Sequence, residues 1–135
     1  MRILIFEKKK RAGLIWKRFL ARNGHLVELC SEINEAVGFL ALGNFDVFII
    51  DASDNMEAAA TLTDLASYQN PDISNIVVTS GRFFADSSIF KLIPNVRGCV
   101  SSLIEPNDLL AIMEHYTTRG RVDPGREALP NLLMG

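Results

Sequence analysis

The chain lacks the markers of several alternatives to a plain globular domain. Only two cysteines occur in its 135 residues, Cys30 and Cys99, far apart and inside apolar runs. They have neither the paired spacing of a zinc site nor a CxxC redox motif, so buried free thiols are expected. Charge of one sign is also missing: 14 Lys and Arg against 16 Asp and Glu leave a formal −2, which gives nucleic acid or an anionic membrane no overall attraction. The basic run from Lys8 to Arg11 is short and reads as the solvated start of a helix. No apolar stretch reaches the length of a membrane span, and the opening Met-Arg-Ile-Leu-Ile-Phe has no long apolar region or cleavage site of a secretory signal. A cytoplasmic protein that binds neither nucleic acid nor membrane is expected. Internal repeats and low-complexity tracts are absent as well.

What is present is a hydrophobic fraction of 48%, enough for one core in one domain. Short β-branched runs alternate five times with longer amphipathic segments, the pattern of a parallel sheet covered by helices on both faces. Met1 to Phe6 is the first strand; Ala12, Ile15, Trp16, Phe19 and Leu20 then recur at helical spacing up to Asn23-Gly24. His25 to Cys30 alternates as an edge strand, and Ser31 is the expected N-cap of a second helix ending near Gly43. Asp46 to Asp51 is continuously apolar between two aspartates, as a central strand buried on both faces should be. A third helix is predicted from Met56 to Gln69, a strand from Asn75 to Ser80, a short helix near Asp86 to Leu92, a strand from Val96 to Leu103, and a last helix opened by Pro106. The fold class is therefore α/β, a doubly wound five-stranded parallel sheet over residues 1–117. Glycines and prolines after Thr118 predict a flexible tail over 118–135.

Open parallel sheets bind ligands outside the carboxyl ends of their strands. The polar residues expected on that rim are Glu7 and Lys8, Asp51, Ser80, and Glu105 with Pro106. His25 and His115 have no second ligand nearby and read as structural. Phe83-Phe84, two adjacent aromatics in a loop, are candidates for either an interaction surface or local packing.

Over nearly all of Met1 to Thr118 this arrangement resembles the receiver domains of response regulators, which have a flavodoxin-like (CheY-like) fold. In that family an aspartate ending the third strand accepts a phosphoryl group from a histidine kinase, and Asp51 matches it. A Ser or Thr ends the fourth strand, matched by Ser80-Gly81, and the glycine and proline around the family's lysine are matched by Gly98 and Pro106. The departures concern chemistry. The family's acidic pair, which holds Mg²⁺ with the phosphoacceptor, reads Glu7-Lys8 here, and its lysine before the proline is replaced by Glu105. The Met-Pro beyond the phosphoacceptor is absent, and Ser102 stands at the aromatic switch position.

Mg²⁺ demands near-octahedral oxygen ligands, and Lys8 supplies none, so Glu7 and Asp51 imply at most weak metal binding. Phosphoryl transfer to a carboxylate depends on cations that offset the charge of the equatorial oxygens; Glu105 adds the opposite charge. With Glu7, Asp51 and Glu105 against Lys8, the formal charge still equals that of a standard site, which suggests an exchange of charge between Lys8 and Glu105. The resemblance implies a non-enzymatic signalling module that binds a histidine kinase or downstream regulator through about Asp86 to about Tyr116, with phosphorylation control weakened or lost. The alternative is a working phosphoacceptor, modified at Asp51 with Mg²⁺. A homodimer through a helical face stays open. A small α/β enzyme is disfavoured, since no GxGxxG or GxxxxGK[ST] occurs and Ser53 stands where an aspartyl-nucleophile phosphatase needs a second acid.

Overall fold

A computed structural model describes residues 1–80 and 93–119. The elements are β1 (Arg2–Phe6), α1 (Lys10–Arg22), β2 (Leu26–Cys30), α2 (Ile33–Leu42), β3 (Val47–Asp51), α3 (Met56–Gln69), β4 (Ser74–Thr79), β5 (Gly98–Ser101) and α4 (Pro106–Arg119). The expected helix over 86–92, the Phe83-Phe84 pair and the tail from 120 onward lie outside the described residues. The last helix runs two residues past the boundary expected at 117. Among the described residues no helix is long and apolar enough to cross a membrane.

All strands pair in parallel in the order β2-β1-β3-β4-β5. This doubly wound sheet follows from the sequence: β1, β3 and β4 carry the buried apolar runs Ile3–Phe6, Val47–Ile50 and Ile76–Val78 and sit inside, whereas the alternating β2 forms an edge. Successive side chains divide between two cores. Leu4, Phe6, Phe48 and Ile50 pack with Leu40, Leu62 and Ala66 of α2 and α3. On the other face Ile3, Ile5, Val47 and Ile49 meet Trp16 and Leu20 of α1 and Leu109, Ile112 and Met113 of α4. Both cysteines are buried and free, and burial pushes their thiols up to about 12 for Cys30 and about 11 for Cys99.

Local chemistry sets the helix starts. Asn55 caps α3 by accepting the Ala58 N–H at 2.9 Å. In α2 the cap is Glu32 rather than Ser31: the Glu35 carboxylate reaches back to the N–H groups of both residues at 3.1 Å. Gly13 lets α1 approach the sheet, since a Cβ there would lie 2.7 Å from Leu29 Cδ1. His25 is structural as expected, joining the Met1 amino group at 3.1 Å to Glu114 of α4 at 3.4 Å.

The most connected polar side chain in the core is Asn75 of β4. Its amide donates to Ser67 Oγ of α3 at 3.0 Å and to the Asn95 carbonyl at 3.1 Å, which ties the approach to β5 against the helix. Asn75→Ala leaves these part-buried acceptors without the amide and should cost about 1 kcal/mol, measured as a lower urea midpoint. An unchanged midpoint would mean that water replaces the amide without loss.

Candidate functional site

The strand order reverses between β1 and β3, so a crevice opens at their carboxyl ends. Register then decides what meets there. Phe6 pairs with Ile50, which sets Glu7 and Asp51 side by side, one residue farther along each strand. Lys8, Asp51, Asp54 and Asn55 line a small cleft with Ile33 at its rim. A more open depression of about 460 Å³ continues past Lys8 and Lys10 to the start of α2.

Glu7 is only 3% exposed. Its carboxyl is pushed up to about 7, first by burial and then by a side-chain hydrogen bond with Asp51; the Lys9 N–H, donating to Oε2 at 3.1 Å, acts in the opposite direction. Below about pH 7 burial and the hydrogen bond with Asp51 therefore keep the Glu7 carboxyl neutral. The other side of Asp51 is held locally, with Oδ1 accepting the Ser53 N–H at 2.8 Å. Lys8 is exposed and faces the cleft.

On β4, Val78 is the partner of Asp51, and its carbonyl accepts the Ala52 N–H at 2.7 Å. Thr79 follows as the last residue of the strand, fully buried, its hydroxyl without a partner among the described residues. Ser80 lies one position beyond the strand and is half-buried. A hydroxyl beside the acid pair is thus offered by two residues, and the sequence pattern pointed to only one. The signal for Thr79 was its place directly after Ile76-Val77-Val78, at the end of the buried run.

Glu105 lies between β5 and α4, directly before Pro106. The chain leaves β5 at Ser101, and the Ser102 N–H donates to the Thr79 carbonyl at 2.9 Å. A turn follows, with the Leu103 N–H donating to Ser101 Oγ at 3.1 Å. Glu105 then opens α4, its carbonyl accepting the N–H groups of Asp108 and Leu109 at 3.0 Å, and its side chain is exposed. The residue continuing the strand beside Thr79 is Ser102. The charges that act on Glu7 are those of Asp51 and Lys9, and of Lys8 and Glu105 it is Lys8 that lines the cleft with Asp51.

The donor set does not fit a firm Mg²⁺ site. Glu7 and Asp51 are hydrogen-bonded to each other, Asp54 is exposed on the wall of the cleft, and Lys8 brings no oxygen. Among the described residues no three acidic, histidine or cysteine side chains come together as metal ligands.

Solved structures share this fold. A CheY-like response regulator receiver domain protein from Methanospirillum hungatei JF-1 superposes with a TM-score of 0.75 at 21% identity, over 88% of this chain and 94% of that one. This chain has the receiver fold. A Burkholderia pseudomallei response regulator, whose structure holds a phosphorylated aspartic acid, a calcium ion and citrate, matches with a TM-score of 0.67 at 17% identity, over 87% of this chain and 69% of that one. A member of a family of streptococcal redox sensors evolved from two-component response regulators gives 0.75 at 14% identity, over 96% and 56%. No protein-family model matches the sequence, and neither does any curated protein.

The raised Glu7 carboxyl has a consequence for stability. Between about 4.5 and about 7 the folded chain keeps a proton that an unfolded Glu7 has released, so this group's contribution falls as pH rises through that window and is flat above it. Glu7→Gln keeps the neutral state at every pH. Relative to that variant, the melting temperature of the wild type should drop by roughly 5 °C between pH 5 and pH 8. Parallel curves would show that Glu7 is ionised throughout.

Proposed function

We propose that this chain is a receiver-fold module of signal transduction that works by binding a partner protein rather than by catalysis, with phosphorylation control at Asp51 weakened or lost. The observation that carries the reading is the Glu7–Asp51 pair beside Lys8. An aspartate that attacks a phosphoryl group must be ionised and free, and the dianionic donor needs cations around its oxygens. Here the aspartate is engaged in a hydrogen bond with the Glu7 carboxyl, and the cation lining the cleft is a lysine. A lysine is a point charge on a flexible stem; it offsets charge but cannot bridge carboxylate and phosphate oxygens as a divalent ion does. The pair therefore favours one fixed state of the rim over a phosphorylation-dependent switch.

The working phosphoacceptor has its own support: Asp51 ends the central strand at an open cleft, with the hydroxyls of Thr79 and Ser80 on the neighbouring strand end. One set of titrations separates the two. Mg²⁺, followed by Trp16 fluorescence, should bind more weakly than about 1 mM, and beryllofluoride or acetyl phosphate should leave Asp51 unmodified by intact mass. Tighter Mg²⁺ binding that vanishes in Asp51→Asn, together with a phosphoryl adduct, would establish the phosphoacceptor instead.

The same reasoning predicts a gain. Lys8→Asp replaces the cleft's cation with an oxygen ligand beside Glu7 and Asp51, and should tighten Mg²⁺ binding by about tenfold. Unaltered affinity in this variant would mean that Lys8 is not what weakens the site.

A further inference from the structure

The outer faces of the helices are segregated by charge, and one of them carries almost none. On α1 the exposed charges are all basic: Lys10, Arg11, Arg18 and Arg22. On α3 they are the acids Glu57 and Asp64, and among the described side chains of α4 they are Asp108 and Glu114. The ten residues of α2 hold a single charged side chain, Glu35, whose carboxylate is occupied by the N–H groups of Ser31 and Glu32. Ala36 and Leu40 are the buried residues of this helix, and the opposite face of such a helix is ordinarily polar. Instead α2 exposes Ile33, Asn34, Val37, Gly38, Ala41 and Leu42, with Ile33, Val37 and Leu42 at 43%, 40% and 64%.

Gly38 sits in the middle of this face. Its φ is not positive, and a Cβ built on it would meet nothing within 4 Å. Neither backbone conformation nor packing within the chain calls for glycine there, although glycine weakens a helix interior relative to alanine. What it supplies is a notch. The exposed positions form two rows spaced by four residues, Ile33-Val37-Ala41 and Asn34-Gly38-Leu42, and together they are symmetric about the midpoint between Val37 and Gly38.

We propose that the outer face of α2 is an interface with a second copy of this chain, in which two α2 helices pack antiparallel about a two-fold axis at that midpoint. Ile33 then meets the partner's Leu42, Asn34 meets the partner's Ala41, and Val37 enters the notch at the partner's Gly38. The proposal concerns a different face from the stretch between Asp86 and Tyr116, and it does not depend on the reading of Asp51.

Charge favours this occupant. A two-fold axis sets a patch against itself, so the outer faces of α1, α3 and α4 would each bring like charges together, whereas α2 brings none. Interfaces between identical chains are also the more apolar ones, with charge depleted at their centre. Rows spaced by four on both helices interlock at the commonest crossing angle, about −50°, and a glycine at the crossing allows the closest approach of the axes, about 8 Å. A bilayer fits less well, because helices that lie on membranes carry lysine and arginine beside their apolar face, and α2 has neither. Ten helical residues span only about 15 Å. The dimer should therefore be reversible, with a dissociation constant above about 1 μM.

Sedimentation velocity of the full chain over a range of concentrations tests this, and a monomer–dimer equilibrium is the expected result. Gly38→Leu fills the notch, and Val37→Glu sets two carboxylates at the axis; each should weaken association at least about tenfold. Ile33→Lys alone and Leu42→Glu alone should also weaken it. The two together should restore it, because in the antiparallel register the new lysine of one copy faces the new glutamate of the other, whereas within one helix they stand nine residues apart. Leu103→Ser, an exposed position far from α2 in sequence and at 88% exposure, should change nothing. All these positions are exposed, and melting curves verify that each variant is folded. A chain that stays monomeric at about 1 mM would overturn the proposal and leave the face to a different protein. Dimers lost in Leu103→Ser but kept in Val37→Glu would overturn it in favour of another face, and vesicle binding that Val37→Glu abolishes, without dimerisation, in favour of a lipid surface. Failure of the double variant to recover would refute the antiparallel register. None of these measurements involves Asp51, so they stand or fall separately from the chemistry of the acceptor site.

Discussion

Parallel pairing of β1 with β3 is the constraint on which the rest of the site depends. It fixes Phe6 against Ile50 and so delivers Glu7 and Asp51 to the same depth at the switch point of the sheet. Both strands are buried on their two faces, and a slip of one residue would turn each apolar side chain to the wrong core. The proximity of the two acids is thus enforced by the burial of Ile3, Leu4, Ile5, Val47, Phe48, Ile49 and Ile50, not by any attraction between the acids. A neutral Glu7 is how two carboxyls held together in this way avoid placing a second negative charge in a buried position.

Much of the fold was legible because its strands carry unmistakable periods. Asp46 to Asp51 could be little else than a central strand, and α3 occupies the predicted residues from Met56 to Gln69. What escaped the sequence were relations set in three dimensions. The last strand was expected to run from Val96 to Leu103, but β5 is only four residues long. The turn after it, held by Ser101 Oγ, carries Glu105 into the first turn of α4. Ser80 was read as the end of the fourth strand, with Gly81 directly after it. The hydrogen-bonded register instead ends the strand at Thr79, opposite Ser101. Ser31 had the ordinary chemistry of an N-cap, and lost that place because Glu35 reached back to the Glu32 amide.

The segregation of charge has a related origin. A count over the whole chain showed near balance, and the run from Lys8 to Arg11 read as an ordinary helix start. Only when α1 is seen docked through Gly13, Trp16 and Leu20 does its composition acquire a direction: the apolar residues that could have faced a membrane are used against the sheet, and the arginines are left outward.

The acid pair and the basic helix are joined through the shortest possible piece of chain. Glu7 follows β1, Lys8 enters the cleft beside Asp51, and the Lys9 N–H donates to the Glu7 carboxyl immediately before α1 begins. That N–H favours an ionised Glu7, while burial and Asp51 favour a neutral one. The opposed preferences meet just before the first turn of α1, so a single hydrogen bond links the acid pair to the start of the basic helix.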